Sequence, residues 1–197
     1  MRSKRKEERG KRKWEARELL EKTFWKKLLK KYSEDYDDIL VVTETVYSMD
    51  GDCSDIKKIC DLKDEYKFNL MVDEAHSYGV YGYGIAYNEK LIDKIDFLVI
   101  PLGKAGASVG AYVICDEVYK NYLINKSKKF IYSTALPPVN NLWNLFILEN
   151  MINFQNRIEK FQELGLIFEH KNSQITIKPL DFERDEYLSF IQLVNSK

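Results

Sequence analysis

A lysine, an aspartate, a histidine and a serine follow three short apolar runs in this sequence, and together they could carry out amine–carbonyl chemistry. Ile39-Leu-Val-Val-Thr-Glu-Thr leads to Ser48, Phe68-Asn-Leu-Met-Val leads to Asp73 and His76, and Phe97-Leu-Val-Ile leads to Lys104. A lysine amine forms an imine with an aldehyde cofactor. A carboxylate held against a pyridine nitrogen keeps that nitrogen protonated, because a nearby opposite charge favours the charged form. Lysine, carboxylate and imidazole at one place are the inventory of a pyridoxal-phosphate site. Asp73 is placed for the ring nitrogen, His76 for the ring oxygen or a stacking position, and Ser48 for a further hydroxyl. Gly103, Gly106 and Gly110 around Lys104 let backbone approach closely.

Such residues work only if their elements bring them together. Apolar runs of this length, rich in branched residues and separated by longer segments, read as buried parallel strands. Ligands of an open α/β sheet bind outside the carboxyl ends of the strands. Strands are expected at about 39–45, 68–73, 96–101 and 111–115. A helix is expected over 54–66, with Ile56, Ile59 and Leu62 on one face and Ser54 as N-cap. Residues 14–31 carry Trp14, Leu19, Leu20, Phe24, Leu28 and Leu29 near helical spacing. Residues 77–88 read as a Gly- and Tyr-rich loop, 89–94 as a short helical turn and 116–128 as a helix. A longer helix follows Pro137-Pro138 over 139–164. A strand over 173–179 and a helix over 183–194 complete the pattern.

With 197 residues and 45% apolar content, the chain is long enough for one domain with a real core. No apolar stretch reaches membrane-span length, so no membrane partner is expected. Cys53, Cys60 and Cys115 form no Cys-x-x-Cys pair and have no zinc-ligand spacing, so reduced thiols, no metal and a cytoplasmic location are expected. The zero net charge conceals an asymmetry: residues 1–31 hold fourteen Lys and Arg against five Glu. A basic arm could bind nucleic acid. With no aromatic platform or recognised motif beside it, a solvated arm is the expectation.

The segments Thr43-Glu-Thr-Val-Tyr-Ser-Met-Asp-Gly-Asp52, Val72-Asp-Glu-Ala-His-Ser-Tyr-Gly-Val80, Leu102-Gly-Lys-Ala105 and Ile131-Tyr-Ser-Thr-Ala-Leu-Pro-Pro138 resemble the α-oxoamine synthases. These are pyridoxal-phosphate enzymes of fold type I, related to class I and II aminotransferases. The resemblance spans about residues 27–180 and implies an α/β fold: part of a PLP-dependent transferase large domain, its mostly parallel sheet flanked by helices. It implies that Lys104 forms the internal aldimine and moves the substrate α-proton. Asp73 pairs with the pyridine nitrogen, and His76 and Ser48 contact the ring-oxygen region. Thr134 approaches a cofactor phosphate, that of the neighbouring subunit in a homodimer. The implied reaction is a decarboxylating condensation of L-alanine with a pimeloyl thioester, carried by coenzyme A or a carrier protein, as in the biotin branch. Glycine-using relatives share the same core.

The sequence departs from the family pattern in three places. Residues 1–26 form a basic, poorly patterned arm with no counterpart of the family's phosphate loop or ring-stacking residue. Residues 181–197 correspond only to a remnant of the small domain. Pro101 stands where the family carries a Thr or Ser three residues before the lysine, and it has neither hydroxyl nor backbone donor. The chain therefore reads as truncated at both ends, with two expectations: an enzyme completed by another chain, or a weakly active or inactive remnant. In either case the sheet's uncovered face should expose apolar side chains.

Overall fold

The computed structural model describes residues 23–49 and 51–167. The strand over 173–179, the helix over 183–194, the 181–197 remnant and most of the basic arm lie outside the described residues. A first helix, α1 (23–32), leads into β1 (Leu40–Glu44). Next come α2 (Ile56–Asp61), a 3-10 turn (Leu62–Asp64), β2 (Asn69–Asp73), α3 (Ile85–Asn88), a second 3-10 turn (Ile92–Lys94) and β3 (Phe97–Pro101). The chain then forms β4 (Ala111–Cys115), α4 (Glu117–Lys126), α5 (Lys128–Ile131), α6 (Pro138–Asn150), a 3-10 turn (Met151–Phe154) and α7 (Gln155–Ile167).

The sheet order is β1-β2-β3-β4. The first three strands are parallel, with Leu40 opposite Asn69 and Val72 opposite Leu98, whereas β4 returns antiparallel against β3. Parallel neighbours need a crossover, which α2 and α3 supply, while the antiparallel β3–β4 pair is joined by the loop that carries Lys104. The carboxyl ends of β1, β2 and β3 therefore share one edge, as the apolar runs predicted.

Burial alternates along the strands. Val41, Thr43, Leu70, Val72, Leu98 and Ile100 are buried on one face. They pack with Leu29, Ile56, Ile59, Leu62, Ala86, Met151 and Ile158 into one core. The α2 turn buries the three residues its spacing predicted. Its cap is Asp55, whose carboxylate accepts from Lys58 N–H at 3.0 Å. Ser54 is not the cap, because its hydroxyl bonds Thr43 Oγ1 at 2.8 Å instead.

Other boundaries also differ from the sequence reading. The loop after β2 ends in the short helix α3. The helix expected over 116–128 breaks at Ser127, whose extended backbone separates α4 from α5. The helix expected over 139–164 is interrupted by the 3-10 turn at Met151–Phe154, where Met151 turns into the core. In α1, Leu29 is buried while Phe24 is 56% exposed, so the apolar stripe is narrower than the spacing suggested.

The opposite face of the sheet is largely uncovered. Leu40 and Val42 are more than half exposed and Val113 nearly so. Among the described residues, one corner is shielded, where the Tyr119 ring of α4 packs on Phe97 at 4.6 Å and its hydroxyl bonds Asn69 at 3.0 Å. The expected exposed apolar face is thus present in the described residues.

Glu74 joins the elements behind the strand ends. Its N–H donates to Val99 O, and its carbonyl accepts from the N–H groups of Ser77 and Tyr78. Its carboxyl is fully buried and accepts from Ala86 N–H at 2.7 Å. A Cβ at Gly84, where φ is +106°, would coincide with that carboxyl, so only glycine fits there. Burial pushes the Glu74 carboxyl up to about 7. The unfolded chain releases this proton near pH 4.5 and the folded chain only near 7. Folding stability therefore falls as pH rises through that window, by on the order of 3 kcal/mol if Glu74 acts alone. In Glu74→Gln, the amide oxygen keeps the Ala86 bond without the charge. Urea unfolding between pH 5 and 8 should show a flatter pH dependence and about 1–2 kcal/mol more stability at pH 8. A wild-type profile as flat as the variant's would refute the role of this carboxyl.

Candidate active site

Asp73 is the last residue of β2, half-buried, and its Oδ1 accepts from Ala75 N–H at 2.7 Å. His76 follows in the loop that Glu74 anchors. Lys104 lies two residues past Leu102 in the β3–β4 connection, and its Nζ meets His76 Nε2 at 2.5 Å. Three of the residues picked from the sequence thus converge at the shared edge. Ser48 stands exposed in the turn that follows β1. Thr134 is exposed in the extended strap between α5 and α6, and it makes no hydrogen bond to Lys104, His76 or Asp73.

Several contacts hold the two functional loops in place. Gly79, at φ +79°, lies so close to the lysine loop that a Cβ there would be 2.6 Å from Ala105 Cβ. Gly106 backs onto Leu102, whose carbonyl oxygen would lie 2.9 Å from an added Cβ. The lysine loop is closed by Leu102 N–H to Gly110 O and Ser108 N–H to Leu102 O, each 3.0 Å. From outside, Trp143 of α6 donates its indole N–H to Ala107 O at 3.1 Å, and Leu136 of the strap abuts Gly110. Ala107 takes a left-handed φ of 48°, a conformation that strains a residue carrying a Cβ.

Hydroxyls tie the β1 end to the β2 end. Thr45 N–H continues the ladder to Asp73 O at 3.0 Å, and Thr45 Oγ1 donates to Ser77 Oγ at 2.8 Å. Thr43 Oγ1 pairs with both Ser54 Oγ and Tyr47 OH at 2.8 Å. Thr43, Thr45, Ser54 and Ser77 are buried and brace the loops, while Tyr47 is exposed. Pro101 closes β3 opposite Ala111 and contributes no hydroxyl.

The electrostatics of the pair are directional. Burial and then the Lys104 charge lower the His76 pKa, while Glu44 and Asp73 oppose both. A neutral imidazole Nε2 can accept a hydrogen bond from the protonated amine beside it, which fits their close approach. Sequence reasoning missed Glu44, Glu74 and Gly79. The available signal for Glu44 was its place: it closes its strand as Asp73 closes the next.

Comparison with known proteins gives concordant matches. Residues 21–163 match the family described as aminotransferase class I and II. The protein named "Putative 8-amino-7-oxononanoate synthase" in Glaesserella parasuis serovar 5 is 44% identical over 144 residues, covering 71% of this chain and 38% of that protein. Its namesake in Neisseria meningitidis serogroup B is 46% identical over 144 residues, with the same coverage. The crystal structure of 8-amino-7-oxononanoate synthase from Francisella tularensis superposes with a TM-score of 0.59 at 32% identity, over 71% of this chain and 42% of that one. Serine palmitoyltransferase from S. paucimobilis, solved with a bound PLP–myriocin aldimine, gives 0.59 at 26% identity over 64% and 33%. The chain spans about 38% of the length of the curated relatives it matches.

At Gly79 and Ala105 the loop of His76 and the loop of Lys104 come into close contact. In Gly79→Ala, a Cβ would enter an occupied space at a left-handed φ, so stability should fall by about 2 kcal/mol or more in urea unfolding. Displacing the lysine should also move the His76 NMR titration midpoint to higher pH, as Lys104→Ala should do without the packing defect. A midpoint unchanged in Lys104→Ala would mean that the two side chains are not coupled in solution.

Proposed function

This chain belongs to the aminotransferase class I and II family, and from that premise we propose that it is an α-oxoamine synthase-type unit that binds pyridoxal phosphate. Its proposed reaction joins L-alanine to a pimeloyl thioester, giving 8-amino-7-oxononanoate, carbon dioxide and the free thiol. The observation that carries this reading is the meeting of Lys104 and His76 at the strand end that Asp73 closes.

The residues present suit the cofactor. An exposed amine, a half-buried carboxylate and an imidazole of lowered pKa share one edge. Bound there, pyridoxal phosphate supplies an electron sink for the carbon next to the amino group. Lys104 Nζ is the amine that anchors the cofactor and then moves the proton at the alanine Cα. Asp73 holds the proton on the ring nitrogen. His76 orients the amine through Nε2 and relays its proton. Ser48 and Thr134, both exposed, are the hydroxyls proposed for the ring oxygen and the phosphate. Thr134 makes no hydrogen bond to the Lys104–His76 pair, in keeping with a role across a homodimer interface or toward a complementing chain. A glycine-using reaction on the same residues is the nearest substrate alternative. The proposed location is the cytoplasm; none of the described helices is long and apolar enough to cross a membrane.

A second reading has its own support. The uncovered apolar face and Pro101 favour a unit that becomes competent only when another chain covers the sheet, or one that is catalytically weak. The domain division of residues 1–26, 27–180 and 181–197 belongs to this reading as well.

Absorbance spectra of the chain with added pyridoxal phosphate separate the two. The expected result is a visible band that Lys104→Ala abolishes and Asp73→Asn shifts toward the unprotonated-ring form. Carbon dioxide release from L-alanine and a pimeloyl thioester is the second measurement. A band without turnover would favour the incomplete unit, and identical spectra for wild type and Lys104→Ala would overturn the cofactor reading.

A further inference from the structure

Glu44 closes β1 and is the direct register partner of Asp73, which closes β2. Partners in a parallel pair project to the same face, on strands about 4.8 Å apart. Both alternate with buried neighbours, Thr43 and Val72, so both project to the uncovered face. Two carboxylates therefore stand side by side at the edge where His76 meets Lys104. Of Glu44, the Thr43 hydroxyl reaches the backbone carbonyl, at 3.4 Å, and not the carboxylate. The Glu44 carboxylate itself has no hydrogen bond or ion pair among the described residues. A half-buried carboxylate beside a second one is unfavourable unless positive charge shares the space.

We propose that Glu44 is a positioning residue of the site: with Asp73 it forms a two-carboxylate cradle that stabilises positive charge at the strand ends. That charge belongs to the Lys104–His76 pair in the free protein and to a protonated ring nitrogen in the loaded one. The second half rests on the pyridoxal-phosphate reading above, and the first does not. Three groups bear on His76: Lys104 from the β3–β4 loop lowers its pKa, while Glu44 from β1 and Asp73 from β2 raise it. Glu44 acts through these neighbours and does not itself touch the reacting carbon.

The test follows the His76 ring by NMR through a pH titration of the whole chain, with His76→Asn assigning its signal against that of His170. Glu44→Gln should move the midpoint to lower pH by a fraction of a unit. Glu44→Asp, which keeps the charge, should retain the wild-type midpoint. A purely structural role would disturb both variants alike, and that result, or an unmoved midpoint in Glu44→Gln, would overturn the proposal. In the loaded protein, the pH at which the Lys104-dependent visible band changes shape should fall in Glu44→Gln and hold in Glu44→Asp. If wild type shows no such band, the cofactor reading fails, and the His76 titration alone decides whether the cradle exists.

Discussion

One buried carboxyl, that of Glu74, carries more of this structure than its size suggests. Its backbone extends the β2–β3 ladder, its carbonyl starts the turn that presents His76, and its carboxyl caps α3 from inside the core. Without that cap, the first turn of a four-residue helix would leave a backbone N–H unpaired in the core. The site next door therefore rests on a group whose ionisation opposes folding. Asp73, its neighbour in sequence, raises its pKa further, though burial dominates. Structure behind the site and charge inside it are coupled through two adjacent carboxyls of a single strand end.

Much of the site was legible because the strands are short and each ends in a polar group. Parallel pairing then brings those ends together with no further information, which is why Asp73, His76 and Lys104 could be chosen from one sequence. Ser48 and Thr134 were legible only as motif members, and both are exposed. The elements went astray by a residue or a turn at places that tertiary contacts decide. Ser54 is as good a cap as Asp55 by residue type, but Thr43 lies within reach of its hydroxyl. No periodicity announces that Met151 must bend into the core and interrupt a long helix. Glu44 and Glu74 look like ordinary surface glutamates in the sequence, and only the sheet register and the course of α3 separate the half-buried one from the fully buried one.

The sheet's two faces tell different stories. One is packed by α1, α2, α3 and the α6–α7 segment into a continuous core. The other leaves branched side chains of β1 and β4 open, with α4 resting on a single corner. Strands this uniformly apolar are normally covered on both faces. The candidate residues project from that open face or its upper edge, so whatever covers the face also borders the site. Solvent exclusion, which strengthens every electrostatic contact at a reacting centre, depends on that cover.

The connection between β3 and β4 has a kinetic consequence. It joins neighbouring antiparallel strands, so the lysine loop can close through contacts only a few residues apart in sequence. The β1–β2 and β2–β3 pairings each require a crossover of more than twenty residues before their first ladder bond forms. Local contacts form quickly, whereas long crossovers must first lose chain entropy. The backbone contacts that close the lysine loop are thus local, whereas its carboxylate and imidazole partners come into place only when the parallel strands dock. Docking of the parallel strands therefore completes the sheet and gathers the candidate residues in the same step, and without that docking the Lys104 amine would have neither Asp73 nor His76 beside it.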